Sequence, residues 1–152
     1  LYTDLLLKQQ TFEDVGAGRL QEAVLTGNAD LLFEAANHAF AAIDYQRYPI
    51  REEKHCQAYL QIFIFGGGFD VSPENHSALG RSDLEIRTQK FRWILELKYL
   101  KTGSGTAEAL LQKAVAQMQD RRYGAASDRR LIRVAAVFSE EKRAFVRWQQ
   151  VE

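Results

Sequence analysis

Asp83, Glu96 and Lys98 are the residues whose types and spacing best combine into a chemical site. On both sides of Gln89 and Lys90, apolar and charged residues alternate with a period of two, which is typical of β-strands. A tight turn at Gln89 and Lys90 would join these strands into a hairpin and place Asp83 opposite Glu96. Lys98 lies two residues beyond Glu96 and therefore shares its face of the strand. The same register collects large apolar residues on one face, namely Leu84, Ile86, Trp93 and Leu95.

The predicted pairing of two carboxylates has a cost, because like charges that face each other across a ladder destabilise a sheet. A sequence that keeps such a pair is expected to gain something from it. Carboxylate oxygens are preferred ligands of hard divalent cations, so a cation site with an ammonium group beside it is the chemistry that this pattern favours. The alternative is an exposed edge hairpin whose acids are simply solvated.

Composition limits the class of protein. The chain has 152 residues, 46% of them hydrophobic, and its 20 basic residues balance its 20 acidic ones. Such a chain is expected to form one domain with a substantial core. The neutral balance argues against an electrostatic nucleic-acid coat but allows a local basic surface. Because no apolar run approaches a membrane span, no leader pattern opens the chain and Cys56 is the only cysteine, we expect a cytoplasmic protein.

The elements that must position the hairpin follow from apolar periodicity. Residues 1–48 indicate a helical lead-in, in which Thr26-Gly27-Asn28 ends one helix and caps the next. The chain begins at Leu1 without a methionine, which suggests a piece of a longer protein. A stronger helix is predicted to begin at Tyr48-Pro49-Ile50, with proline in its first turn, and to end at the three glycines of 66–68.

One acidic residue belongs to the inward face of that stronger helix. Glu53 lies three residues before Cys56, which begins a buried stripe, so the two are expected to share a face. An acid at the head of an apolar stripe is unusual. The alternative is a surface glutamate that the helix dipole favours.

The remaining elements complete an order of helices followed by α-β-β-β-α-β-β. A short strand at Phe69-Asp70-Val71 precedes the hairpin. After it, a helix is predicted over about residues 106–123, with Gln117 beside its apolar stripe. Residues 131–138 form an apolar run typical of a strand that is covered on both faces, and residues 143–148 alternate as a last strand.

This order and these motifs resemble the PD-(D/E)XK nuclease superfamily. Asp83 matches its first acid, Glu96 its second acid and Lys98 its lysine. A bacterial branch of the superfamily adds a pattern that this chain matches with Gly80-Arg81-Ser82-Asp83, Glu96-Leu97-Lys98, and Gln117 followed by Tyr123. Glu53 matches a glutamate that this branch carries on the preceding helix. The resemblance covers roughly residues 49–150, and Ser82 stands where the superfamily name has proline.

The resemblance implies an α/β (α+β) fold, with a restriction-endonuclease-like αβββαβ core over residues 49–152. In that core a central mixed sheet is flanked by helices, and the helical lead-in of residues 1–48 precedes it. The implied cofactor is Mg²⁺ or Mn²⁺. Its ligands would be Asp83, Glu96 and the backbone carbonyl of Leu97, with Glu53 binding directly or through water.

The activity that the resemblance implies is phosphodiester hydrolysis by an endo- or exonuclease. Lys98 would orient or activate water, and Gln117 would position the substrate or Lys98. Candidate contacts to nucleic acid, with DNA favoured over RNA, are Arg81, Lys101 and Arg121. Because this branch commonly follows an AAA-type ATPase-like domain, such a domain is a possible upstream partner, and no membrane partner is expected. The alternatives are an inactive domain that binds nucleic acid or docks a partner for the ATPase, and a purely structural assembly module.

Overall fold

A five-stranded mixed sheet lies at the centre of the computed structural model, which describes residues 18–74, 83–120 and 128–152. Its strands lie side by side in chain order. β3 and β4 are parallel, and the other neighbouring strands are antiparallel. The strands are β1 (Asp70–Glu74), β2 (Asp83–Arg87), β3 (Phe91–Leu100), β4 (Arg130–Ser139) and β5 (Ala144–Val151).

Four helices accompany the sheet in the described part of the chain, namely α1 (Gly18–Thr26), α2 (Ala29–Phe40), α3 (Glu53–Gly66) and α4 (Ala107–Gln119). α4 connects the parallel strands β3 and β4, as a parallel pair requires a crossover. The predicted α+β class and the predicted order of elements are therefore confirmed. None of these helices is both long enough and apolar enough to span a bilayer.

The two faces of the sheet pack against different helices. Successive residues of a strand point to opposite faces, and Trp93 and Leu95 lie in a core with α1, α2 and α3, whereas Ile94 lies in a second core with α4. The predicted apolar face of the hairpin belongs to the first core and is confirmed. The hairpin's charged residues therefore lie on the α4 side of the sheet.

Helices α1 and α2 are anchored to the sheet by hydrogen bonds as well as by apolar packing. The indole nitrogen of Trp93 donates to the Val24 carbonyl at 3.3 Å. Asn37 both donates to the Phe145 carbonyl at 2.9 Å and accepts from its N–H at 2.7 Å. Asn28 caps α2 by accepting from the N–H of Leu31, as predicted. Residues 18–40 thus share one core with the sheet.

Helix α3 begins later than the sequence pattern predicted. We expected it to begin at Tyr48-Pro49-Ile50, but its first residue is Glu53, so that prediction is wrong. Glu52 has an extended backbone, with φ −156° and ψ 168°. The carbonyl of Ile50 accepts from the hydroxyl of Tyr99 at 2.8 Å, which fixes the chain outside the helix. The helix ends at Gly66, as predicted.

Candidate active site

The pairing of Asp83 with Glu96 is the central feature of the site. The antiparallel register joins these two residues directly, as predicted, and neither side chain is exposed (0% for both). Directly opposite residues have Cβ atoms roughly 4.5–5.5 Å apart. The same ladder contains the other predicted pairs, Leu84 with Leu95, Ile86 with Trp93 and Arg87 with Arg92.

A compact turn holds this register. The N–H of Thr88 donates to the carbonyl of Phe91 at 2.9 Å, and the N–H of Phe91 donates to the Thr88 hydroxyl at 2.9 Å. Gln89 and Lys90 lie at the centre of this turn, as the sequence predicted. Because a slip of one residue would move every side chain to the other face, this turn helps to keep both acids on the same side of the sheet.

Lys98 lies on the same face as the paired acids. Its ammonium nitrogen is 3.5 Å from Oε1 of Glu96, and its side chain is only 13% exposed. A partly buried ammonium group feels nearby charges more strongly than a solvated one, because water screens it less. The structure therefore brings together the acid pair and the lysine that the sequence singled out.

Glu53 approaches the acid pair from α3, where it is the first residue of the helix. Its Oε1 accepts from the backbone N–H of Tyr99 at 3.4 Å. Burial raises the pKa of Glu53 and the charge of Asp83 adds to that rise, whereas the Lys98 ammonium and the Tyr99 hydrogen bond lower it. In the described ranges, no group of three or more His, Cys, Asp or Glu side chains is arranged to hold a metal ion. Glu53 thus lies close enough to the site for its carboxyl group to respond to the charges of Lys98 and Asp83.

Leu97 occupies the position between the second acid and the lysine. Its side chain is buried in the core that contains α3. The described pairing with β2 ends at Glu96, and Leu97 pairs with Ala136 of β4. Its backbone is therefore next to the acid pair, which is the placement that a carbonyl ligand would need.

Gln117 lies on α4, the helix that packs against the charged face of the hairpin. Its side-chain oxygen is buried, and within the described residues it accepts no hydrogen bond. A buried acceptor without a donor is costly, so this amide is suited to accept a hydrogen bond from another group.

One contact to the site was not predicted from the sequence. Gln57, one helical turn after Glu53, donates its side-chain N–H to the backbone carbonyl of Asp83 at 3.1 Å. Residues four apart lie on the same face of a helix. That spacing from Glu53 was the signal that could have identified Gln57.

A second missed feature is a cluster of ion pairs around a buried glutamate, Glu85, on the same face of the hairpin. Glu85 is 4% exposed, and it accepts from Arg87 Nη2 at 3.0 Å and from Nε of Arg92. Arg87 also lies 3.4 Å from Asp70 of β1. Alternation along the strand predicted that Glu85 would lie on the polar face, but not that its neighbours would bury it.

Of the three residues predicted to contact nucleic acid, the structure describes only Lys101. Lys101 is exposed just beyond the end of β3, three residues after Lys98. Arg81 and Arg121 lie outside the described residues, as does Tyr123 of the Gln–Tyr pattern.

The donor set at the acid pair fits a hard divalent cation. Two fully buried carboxylates lie on facing positions of adjacent strands, and the backbone of Leu97 follows the second of them. Oxygen donors of this kind are the ligands that Mg²⁺ prefers. A bound cation would also offset the like-charge repulsion between the acids.

Comparison with known proteins places the chain in a family. A search among curated proteins found no match. The family model of the PD-(D/E)XK nuclease superfamily matches residues 51–148, which is more than half of the chain and includes Glu53, Asp83, Glu96 and Lys98. The chain therefore belongs to the PD-(D/E)XK nuclease superfamily.

Proposed function

We propose that this protein is a divalent-metal-dependent nuclease domain that hydrolyses the phosphodiester bonds of nucleic acid. The observation that carries the proposal is the buried, in-register pair of Asp83 and Glu96, with the Lys98 ammonium 3.5 Å from Glu96. Membership of a nuclease superfamily supports the same reaction class.

Asp83 and Glu96 are the proposed ligands of Mg²⁺ or Mn²⁺, together with the backbone carbonyl of Leu97. Glu53 would bind directly or through water. When bound, such a cation polarises a phosphoryl oxygen and lowers the pKa of a coordinated water. The two carboxylates fix where the cation sits, and their burial limits the screening of its charge by solvent.

Lys98 is the proposed electrostatic catalyst. Negative charge builds on phosphoryl oxygens in the transition state, and an ammonium group already held beside the cation site stabilises that charge without having to reorganise. Lys98 can also orient the attacking water. Gln117 is the proposed positioning residue for Lys98 or the substrate, since its buried side-chain oxygen can accept a hydrogen bond.

The proposed substrate is nucleic acid, with DNA favoured over RNA. Lys101 would contact the phosphate backbone from its exposed position beyond β3, and Arg81 and Arg121 would add to that contact. By resemblance to the bacterial branch, we also propose an AAA-type ATPase-like domain upstream in the same protein. We propose a cytoplasmic location because Cys56 is the only cysteine of the chain, which fits a reducing compartment.

The second candidate function is a catalytically inactive domain that binds nucleic acid or docks a partner. The ion pair between Lys98 and Glu96 favours it, because a lysine can offset the repulsion between two carboxylates without a metal. In that case the three side chains would stabilise the fold and would not act on a phosphate.

Cleavage assays separate these two functions. The substrates are single- and double-stranded DNA and RNA, incubated with Mg²⁺ or Mn²⁺, and the variants are Asp83→Asn and, as an exposed control, Asp120→Asn. We expect the wild type and the control to cleave, a chelator to stop them, and Asp83→Asn to be inactive. Electrophoretic binding by the wild type without cleavage, under every metal and on every substrate, would favour the inactive domain.

A further inference from the structure

Helix α3 contacts the backbones of both strands that carry the acid pair. Its Gln57 donates to the carbonyl of Asp83 on β2 at 3.1 Å, and its Glu53 accepts from the N–H of Tyr99 on β3 at 3.4 Å. The two side chains are one helical turn apart, so a single face of α3 spans the two strands. A rigid helix thus helps to set the distance between these two strands beside the site.

The position of the Asp83 carboxylate depends closely on its backbone. An aspartate has a single methylene between its Cα and its carboxyl carbon, so the carboxylate follows any shift of the main chain. Asp83 is the first residue of β2, where it pairs with Glu74 on one side and Glu96 on the other. A hydrogen bond to its own carbonyl therefore acts on the main chain to which this short side chain is attached.

A glutamine suits this task better than a charged or an apolar side chain. Its amide donates to a carbonyl but adds no charge beside two buried carboxylates. A lysine or arginine at position 57 would instead be drawn to the Asp83 carboxylate and would compete with a cation there. Gln57 is also half-buried, so water competes less for its amide than it would at an exposed position.

We propose that Gln57 is a positioning residue, which holds the backbone of Asp83 so that its carboxylate and that of Glu96 can bind one divalent cation together. This inference rests on the proposed function, since it assumes that the acid pair binds a metal. Groups that orient the ligands of a metal typically change its affinity by about 10- to 100-fold when they are removed.

The test measures the binding of Mn²⁺ alone, without substrate, by titration calorimetry. Gln57→Met keeps the length of the side chain and removes the N–H donor. Gln61→Met is the matched control, because Gln61 is half-buried one turn further along α3 and donates no side-chain hydrogen bond among the described residues. Denaturant unfolding without metal, on the same samples, reports any general loss of stability. Gln57→Asn, which is too short to keep the bond, replaces Gln57→Met if the latter does not fold.

We expect Gln57→Met to bind Mn²⁺ about 10-fold more weakly than the wild type, and Gln61→Met to bind it as the wild type does. Without metal, Gln57→Met should unfold at a slightly lower denaturant concentration than Gln61→Met, because it loses one hydrogen bond, while both variants remain folded under the conditions of the titration. Equal Mn²⁺ affinity in Gln57→Met and Gln61→Met would overturn the positioning role and leave the proposed function intact. A wild type that binds no Mn²⁺ would overturn the proposed function, and this inference with it.

Discussion

Asp83 and Glu96 lie directly opposite each other in the ladder between β2 and β3, and neither carboxylate is exposed to solvent. Opposite charges at these two positions would stabilise the sheet, whereas like charges destabilise it. The Lys98 ammonium lies 3.5 Å from Oε1 of Glu96, on the face of the sheet that the two acids share. The stability of the domain should therefore respond to a cation that binds both acids.

Metal-dependent stability is the first expectation. Mn²⁺ should raise the melting temperature of the wild type, because a ligand that binds the folded state stabilises it. Asp83→Asn should abolish this rise. Since the substitution also removes the like-charge repulsion, the metal-free variant should be no less stable than the wild type. Differential scanning fluorimetry with and without Mn²⁺ measures both effects, with Asp120→Asn as the control. An unchanged Mn²⁺ response in Asp83→Asn would place the metal elsewhere.

The stability of the metal-free domain should depend on pH because of Glu53. Burial raises its pKa above the ordinary value of 4.5, so the folded state holds the proton more tightly than the unfolded chain does. Stability is then lost as the pH rises from 4.5 through the raised pKa of the folded state. Relative to Glu53→Gln, the wild type should become less stable over that window, as measured by urea unfolding in chelator. Glu52→Gln, at an exposed neighbouring acid, should follow the wild type. Parallel pH profiles for Glu53→Gln and the wild type would rule out this assignment.

The ion pairs around the buried Glu85 should contribute to stability and not to metal binding. Glu85→Gln removes the negative charge that two guanidinium groups share, and hydrogen bonds to charged groups contribute about 1.5–3 kcal/mol. We expect the free energy of unfolding to fall by about 2 kcal/mol. The control is Glu108→Gln, whose ion pair with Arg147 is more than half exposed and should contribute at most about 1 kcal/mol. Equal effects in the two variants would contradict a special role for the cluster.

Contacts to the nucleic-acid backbone should be visible in the salt dependence of binding. Lys101→Ala should weaken affinity and reduce the slope of log affinity against log salt concentration by about 1, because one phosphate contact is lost. Fluorescence anisotropy with labelled DNA, in Ca²⁺ or chelator to prevent turnover, measures the slope. Arg81→Ala and Arg121→Ala are expected to behave in the same way. A slope equal to that of Lys113→Ala, an exposed lysine on α4, would remove Lys101 from the interface.

The hairpin and its acid pair could be predicted because the sequence patterns that indicate them involve residues close together in the chain. Alternation on both sides of Gln89 and Lys90 determined the strands, and the short turn determined the register that pairs Asp83 with Glu96. Periodicity likewise identified the helices, although it placed the start of α3 too early. Pro49 is compatible with a first helical turn, but the bond from Tyr99 to Ile50 holds that segment outside the helix.

The parts of the site that could not be predicted depend on contacts between distant residues. Gln57 and Asp83 are 26 positions apart. The spacing of Gln57 from Glu53 indicates a shared helix face, but it does not indicate which main-chain carbonyl the Gln57 side chain contacts. The burial of Glu85 depends on which guanidinium groups cover it. Such contacts depend on how α3 packs against the sheet and on which side chains cover the sheet. They can therefore be identified only from the three-dimensional structure.

Lys98 provides the most direct test of the proposed nuclease activity. In single-turnover cleavage with Mg²⁺ and saturating protein, Lys98→Ala should reduce the rate by about 10²–10³-fold, since one electrostatic group of the transition state is lost. Substrate affinity should change little, which is the pattern of an interaction made only in the transition state. Lys113→Ala, at an exposed lysine, should cleave at the wild-type rate. Cleavage that survives Lys98→Ala unchanged would contradict the proposed role of this lysine and assign the activity to another site.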